Sequence, residues 1–360
     1  MQERTEPAIA YVLNRGEYDQ RRDEVKPSTP QILPPFSDDL PPNRLGLAKW
    51  LVRDEHPLTA RVTVNRFWQE IFGRGLVATT GDFGVTGELP SHPELLDYLA
   101  VTFRNEKWDV KKFFRSLVTS ATYRQSSQLT PEKFQADPDN RWLSRGPRFR
   151  MDAEMIRDYA LACSGVLSRK IGGPSVRPYQ PPGVWEAVAM PESNTRNYRE
   201  DEGENLYRRS MYTFWKRSAP PASMDIFNAP NREQCTVRRE RTNTPIQALV
   251  TLNDPQFIEA ARRMAQRMLL ESQIPATDPL GRIQWLSERL LARPMLPAEL
   301  EIVQQNVSDL LGYYQAHAEA VDALLAVGRS PVDGKVDRGE LAGWTMLVNE
   351  LLNLDETLSK

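Results

Sequence analysis

Proline decides where this chain can be regular. The 360 residues hold 28 prolines against 19 glycines, and the prolines are unevenly placed. Each ring removes a backbone donor and biases the residue before it toward extended conformations. The run KPSTPQILPPFSDDLPPN, residues 26–43, therefore cannot be helical and reads as an extended arm laid over a surface. Just before it, AIAYVLNRGEYD reads as a strand running into a turn at Arg15-Gly16. Elsewhere prolines mark helix starts, at Pro57, Pro245 and Pro255, where a missing N–H costs nothing.

Past residue 42 the apolar residues recur at helical spacing. NRLGLAKWLV is a short helix with Leu45, Leu47, Ala48 and Leu51 on its apolar side. PLTARVTVNRFWQEIFG carries Ala60, Val64, Phe67, Trp68 and Ile71 on one stripe. PELLDYLAVTFRN, DVKKFFRSLVTSATYRQ and MDAEMIRDYALACSGVLSRK follow as three further helices. Loop chemistry dominates residues 171–205, and YRRSMYTFWKR alternates enough to read as a strand. Thr244-Pro245 and Asp254-Pro255 each place a capping side chain before a proline that opens a helix. PQFIEAARRMAQRMLLES is amphipathic through Phe257, Ala261, Met264, Ala265 and Met268, and two more helices close the chain. The expected fold is mainly α, a multi-helical globular chain with a few short strands and a Pro-rich extended N-terminal arm. The expected organisation is an arm over 1–42, helical groups over 43–170 and 244–360, and a loop-rich, Arg-rich middle over 171–243. The abrupt start within a strand-like pattern also suggests a piece of a longer protein.

Composition narrows the function. With 40% hydrophobic and 26% charged residues the chain is an ordinary globular one, neither disordered nor fibrous. No apolar run approaches 18 residues, so no membrane span is expected, and no signal peptide is visible. Forty-six basic against 48 acidic residues give no whole-chain reason to expect nucleic acid. That balance hides a gradient: residues 251–360 carry 10 basic and 16 acidic residues, so anion-binding chemistry belongs upstream. Only two cysteines and three histidines are present, and CxxCH is absent. No metal site and no chain-borne haem is therefore expected. Cys163 falls on the helical stripe of Met155, Tyr159 and Val166 and reads as a small buried hydrophobe. Cys235 lies among arginines that could lower a thiol pKa.

The strongest local signal is residues 207–245. Arg208, Arg209, Lys216, Arg217, Arg232, Arg238, Arg239 and Arg241 stand against three acids, and the segment ends at the Thr244 helix start. Free N–H groups and guanidinium forks there suit carboxylate, sulfate or phosphate. The favoured expectation is an internal ion-pair network reaching acids such as Glu154 and Asp158; an anionic ligand is the alternative. A second candidate is the polar stripe Arg61, Asn65 and Gln69 at i, i+4 and i+8, which suits either a hydroxyl-rich ligand or a docked loop. Catalytic candidates are weak. Glu154 and Asp158 share a helix face as a general acid/base pair would, and Asp82 sits in the tight turn ATTGDFGVTG. Arg157 beside the pair opposes the raised acid such chemistry needs. Of eight tryptophans, six read as core, leaving Trp185 and Trp215 as open cases for stacking on sugar rings.

Taken together, NRFWQEIFGRGLVATTGDFGVTGELPSHPELLDYLA, GPRFRMDAEMIRD, RKIGGPSVRPYQPPGVWE, NAPNREQCTVRRERTNTPIQALVTLNDPQF and LLNLDETL resemble the planctomycete PSD-one domain family, domain of unknown function 1553. The likeness runs from Tyr11 to Leu358. It implies that 43–360 is one family-defined unit. It also implies the C-terminal part of an exported multidomain protein, in the periplasm or at the cell surface, whose haem c sits in a separate cytochrome c-like domain. The resemblance carries no catalytic residues to transfer. Asn228 stands where relatives often have Asp in DAPNRE. The function expected is that of an accessory or interaction domain, its partners the other domains of its parent protein and an anionic polysaccharide. A hydrolase or oxidoreductase acting on complex carbohydrate is the alternative.

Overall fold

The computed structural model describes residues 9–360; residues 1–8, the beginning of the expected arm, lie outside them. Helices take up 47% of the described residues and strands 5%, so the fold is mainly α. The chain divides at Pro147/Arg148 into two compact units.

In the first unit, β1 (Ala10–Leu13) and β2 (Arg21–Val25) pair antiparallel, the only sheet among the described residues. The Pro-rich arm then leads to α1 (Arg44–Leu51), capped by Asn43. This helix inverts the expected orientation. Leu45, Leu47, Ala48 and Leu51 face outward, and Gly46 and Trp50 are buried. The arm is the reason. Trp50 Nε1 donates to Pro34 O at 2.9 Å, and a Cβ on Gly46 would collide with Pro41 O. The extended arm thus covers the one helix face narrow enough to admit its backbone.

Next come α2 (Thr59–Phe72), α3 (Pro93–Asn105), α4 (Val110–Val118), α5 (Ala121–Arg124) and α6 (Pro131–Ala136). Ala60, Val64, Trp68 and Phe72 of α2 pack on Leu96, Leu99, Ala100 and Phe103 of α3 and on Phe113 and Leu117 of α4. Burying a ring such as Phe103 contributes about 2–3 kcal/mol. The single helix expected over DVKKFFRSLVTSATYRQ is two. Thr119 returns its hydroxyl to Arg115 O, and Ser120 caps α5 through Tyr123 N.

The second unit comprises α7 (Ala153–Ser164), α8 (Ala222–Ile226), α9 (Pro245–Asn253), α10 (Pro255–Glu271), α11 (Pro279–Leu290), α12 (Pro297–Ala316), α13 (Ala318–Leu325), α14 (Arg338–Leu352) and α15 (Asp355–Leu358). The α7 helix, grouped with the N-terminal helices in the sequence reading, joins this unit because Ile156 and Ala160 enter the core built on α10 and α14. The ends of the unit meet. Phe149 and Lys360 exchange backbone hydrogen bonds at 3.0 and 2.8 Å, Met151 N donates to Leu358 O, and Arg148 and Arg150 both reach Asp355.

The α10 helix is buried nearly all round. Its apolar stripe is the expected one, and its polar residues are also enclosed. Glu259 accepts from the Tyr179 and Tyr207 hydroxyls at 2.8 and 3.0 Å and from the backbone N–H groups of Arg329 and Ser330. Arg262 donates to the carbonyls of Val327 and Ser330, and Gln266 accepts from Asp333 N. One helix face therefore reads the main chain of 327–333 almost as a partner strand would. Gly328 makes the approach possible: its φ is +86°, and any Cβ would lie within 2.8 Å of the Glu259 side chain. Burial, then the nearby Glu259 charge, pushes the Tyr207 hydroxyl up to about 12.

The strand expected over YRRSMYTFWKR is absent. Residues 203–207 and 210–212 form two short 3-10 turns, with isolated bridges at Arg208 and Thr213. Arg157 explains this. Its side chain is only 4% exposed, and it donates to Leu206 O (2.7 Å), Arg208 O (2.8 Å), Ser210 Oγ (3.2 Å) and Gln256 Oε1 (2.5 Å). Those carbonyls, satisfied from below, are lost to a ladder. Replacing Arg157 by Met would leave those buried carbonyls unpaired, at about 1–3 kcal/mol for each group left unsatisfied. Urea unfolding should show a lower midpoint at unchanged slope.

A second expectation concerns acid. Arg293 donates to both oxygens of Glu299 (2.8 and 2.9 Å) and of Glu356 (2.8 and 2.7 Å). The Arg293 hydrogen bonds, then Leu296 N, hold the Glu299 carboxyl at about 2 against an ordinary 4.5. A depressed acid contributes stability above its unfolded pKa and loses it as pH falls through the folded value. The pair is partly exposed, so solvent screening leaves about 1 kcal/mol or less. The stability gap between wild type and Arg293→Ala, measured by urea at pH 7, should close between pH 4.5 and 2.

Candidate functional site

The structure sorts the basic residues of 207–245 into an inner and an outer set. Arg208 is wholly internal: it donates to Pro174 O at 3.0 Å and to the carbonyls of Lys170 and Gly172, with its guanidinium 3.8 Å over the Tyr212 ring. Arg239 lies 2.5 Å from Glu154 and 3.8 Å from Asp152. Arg241 is 3.5 Å from Asp152 and 4.2 Å over the Phe149 ring. Arg209, half exposed, is 3.9 Å from Asp158. These four tie the segment to α7 and to the loops on either side of it.

The outer set faces solvent. Residues 231–238 are exposed throughout, and Arg238 among them. Arg217 sits 3.5 Å from an exposed Glu233. Arg232 adopts φ +65°, unusual for a side chain of its size, and lays its guanidinium 4.5 Å over the Trp215 ring. Trp215 Nε1 in turn donates to Asn231 O at 3.3 Å. Asn228, also left-handed at φ +58°, donates to Thr242 Oγ1. Lys216 donates to Thr195 O and stands 5.0 Å over the Trp185 ring, beside an open depression of about 350 Å³ lined by Val188, Met190 and Glu192. Thr244 occupies the N-cap position of α9, yet its hydroxyl caps nothing; Asp254, by contrast, accepts from Gln256 N.

The carboxylates are engaged. Asp158 accepts from Ser210 N at 2.7 Å and lies 3.7 Å from Arg157. Glu154 belongs to Arg239. Asp82 closes its own turn, accepting from Thr86 Oγ1 and Gly84 N, and these bonds hold its carboxyl below the usual range. The acid that reasoning from sequence missed is Asp152, which both Arg239 and Arg241 approach. Its position just before α7 is a capping signal, but its side chain makes no capping bond.

The polar stripe of α2 is a dock for a loop. Asn65, fully buried, donates to Val77 O (3.0 Å) and accepts from Val77 N (2.9 Å); Gln69 accepts from Thr80 Oγ1 (2.6 Å); Arg61 pairs with Asp97 (2.7 Å). The tryptophans also rearrange. Trp185 is a core residue at 3% exposure, whereas Trp142, expected inside, is 57% exposed. Among the described residues no group of His, Cys, Asp or Glu is arranged to hold a metal ion.

Such a chain is a multi-helical α protein whose loop-rich middle is held by arginines. It belongs to the family described as "Protein of unknown function (DUF1553)", PSD1, which matches residues 43–307. No curated protein and no solved structure matches it.

Both cysteines are free thiols. Burial pushes the Cys163 thiol up, and its Sγ contacts Arg289 O. Cys235 is exposed. Cys163 is half-buried, not the fully buried hydrophobe expected, so an aromatic disulfide reagent at pH 8 should modify Cys235 promptly and Cys163 more slowly, with mass spectrometry locating the adducts.

Proposed function

We propose that this domain is a non-catalytic binding module whose outer arginines, Arg217, Arg232 and Arg238, receive an acidic polymer such as an anionic polysaccharide. The observation that carries the reading is Arg232. A left-handed backbone costs a non-glycine residue about 1–2 kcal/mol. Here it sets a guanidinium on an indole face at the surface, while the inner Arg239 and Arg241 engage Glu154 and Asp152. Stacking leaves the guanidinium edge, with its N–H donors, free to fork a carboxylate or sulfate. A catalytic role fits less well: Glu154 and Asp158 are spent on arginines and backbone, and Asp82 on its turn.

The family resemblance supports placing the domain in an exported protein, beside other domains of its parent, with any haem c in one of them. Calorimetric titration with polygalacturonate at low salt should show binding that weakens as salt screens it. The triple variant Arg217→Ala, Arg232→Ala, Arg238→Ala should lose at least about tenfold in affinity, equivalent to 1.4 kcal/mol. Equal affinities for a folded triple variant and wild type would overturn the reading.

A further inference from the structure

We propose that Trp142, in the first unit, is a stacking platform for a pyranose ring of a polysaccharide, separate from the arginine loop. Trp142 is 57% exposed, and the loop that carries it is built to hold it there. Asp137, itself 4% exposed, accepts the backbone N–H groups of Arg141 (2.7 Å) and Trp142 (2.9 Å). Arg145 folds back onto the carbonyls of Asp137 and Pro138, both at 2.8 Å, and Asn140 clamps Arg145 N and O. Asn140 and Leu143 take left-handed φ values of 50° and 57°, so the loop reverses sharply on either side of the indole. Leu143 packs on the core, and Gln125 Nε2 donates to its carbonyl at 2.9 Å. One residue is held out, the next goes in.

The ring's surroundings define the ligand. His92 meets it edge-on, with centroids 5.6 Å apart at 72°, and is itself 2.9 Å from Ser91 Oγ. The Arg141 guanidinium stands over one face of the ring, 5.4 Å from its centroid, so a sugar would stack on the other face with Arg141 as a donor beside it. More than half of Trp142 remains uncovered. A rigid indole bordered by hydrogen-bonding groups matches an object that is apolar on its flat face and hydroxyl-lined around its edge, as a pyranose is. A protein partner would call for a broad continuous apolar patch, whereas the groups that meet this ring are an imidazole and a guanidinium. Nucleobases also stack on indoles, and the test separates them.

The test follows the indole N–H resonances of the ¹⁵N-labelled chain, with Trp142 assigned from Trp142→Phe. Titration with cellohexaose and with hexagalacturonate, each up to about 10 mM, should move the Trp142 resonance saturably with at least one of them. The shift should persist in the Arg217→Ala, Arg232→Ala, Arg238→Ala variant, so failure of the arginine-loop reading leaves this one standing. Trp142→Ala should weaken the affinity at least about tenfold, as loss of an aromatic anchor does. Arg141→Ala should weaken hexagalacturonate more than cellohexaose if the uronate is the ligand, and both alike if a neutral sugar is. Stationary Trp142 with both sugars, unchanged affinity in folded Trp142→Ala, or a response confined to hexathymidylate would each overturn the proposal.

Discussion

A charge that cannot reach water must find its partners within the protein, and in the second unit that requirement falls on Arg157. Its guanidinium is satisfied mainly by main-chain carbonyls of a passing loop and by Gln256 at the start of α10. Burial lowers its pKa, opposed in part by Asp158 and Asp254, so the surroundings tolerate the charge only because each guanidinium nitrogen finds an acceptor. That arrangement settles the loop at residues 206–210 against α7. Arg208, next along, turns its own side chain back onto 170–174. The middle of the chain is thereby pinned to α7 at residues 206–210 without being a sheet.

The same logic operates on α10 with the polarity divided. Glu259 supplies acceptors to the N–H groups of 329 and 330, and Arg262 supplies donors to the carbonyls of 327 and 330. A buried helix normally presents apolar side chains to its neighbours. Here an acid and a base one turn apart serve an irregular segment that would otherwise carry unpaired backbone groups into the core. The apolar stripe supplies the driving force, and the polar face selects which loop may lie there.

Much of the fold was legible from periodicity and proline placement. The helices at 59–72, 93–105, 255–271 and 338–352 lie where their apolar residues recur, because those stripes do face cores. The failures are instructive. The leucines of α1 point outward because the Pro-rich arm needs a glycine-floored face, a tertiary demand invisible in helical spacing. YRRSMYTFWKR alternates like a strand, but its carbonyls are claimed by an arginine some fifty residues earlier. The arginine cluster itself was plain; its division into inner and outer members was not. That division depends on where Asp152 and Glu154 come to rest, and only the fold places them. Trp142 escaped notice because left-handed turns at Asn140 and Leu143, neither of them glycine, reverse the chain without the usual punctuation.

The short pairing between Phe149 and Lys360 has a mechanical consequence. Tension applied across the ends of the second unit would meet those two backbone bonds and the Arg148, Arg150 and Asp355 contacts before any helix of the core. Bonds in so small a ladder are loaded together and part together. The core on α10 and α14 would feel the pull only after this latch had opened. The unit is therefore shielded as a clasped belt is, by a closure that yields first and can re-form with the packed helices still in place.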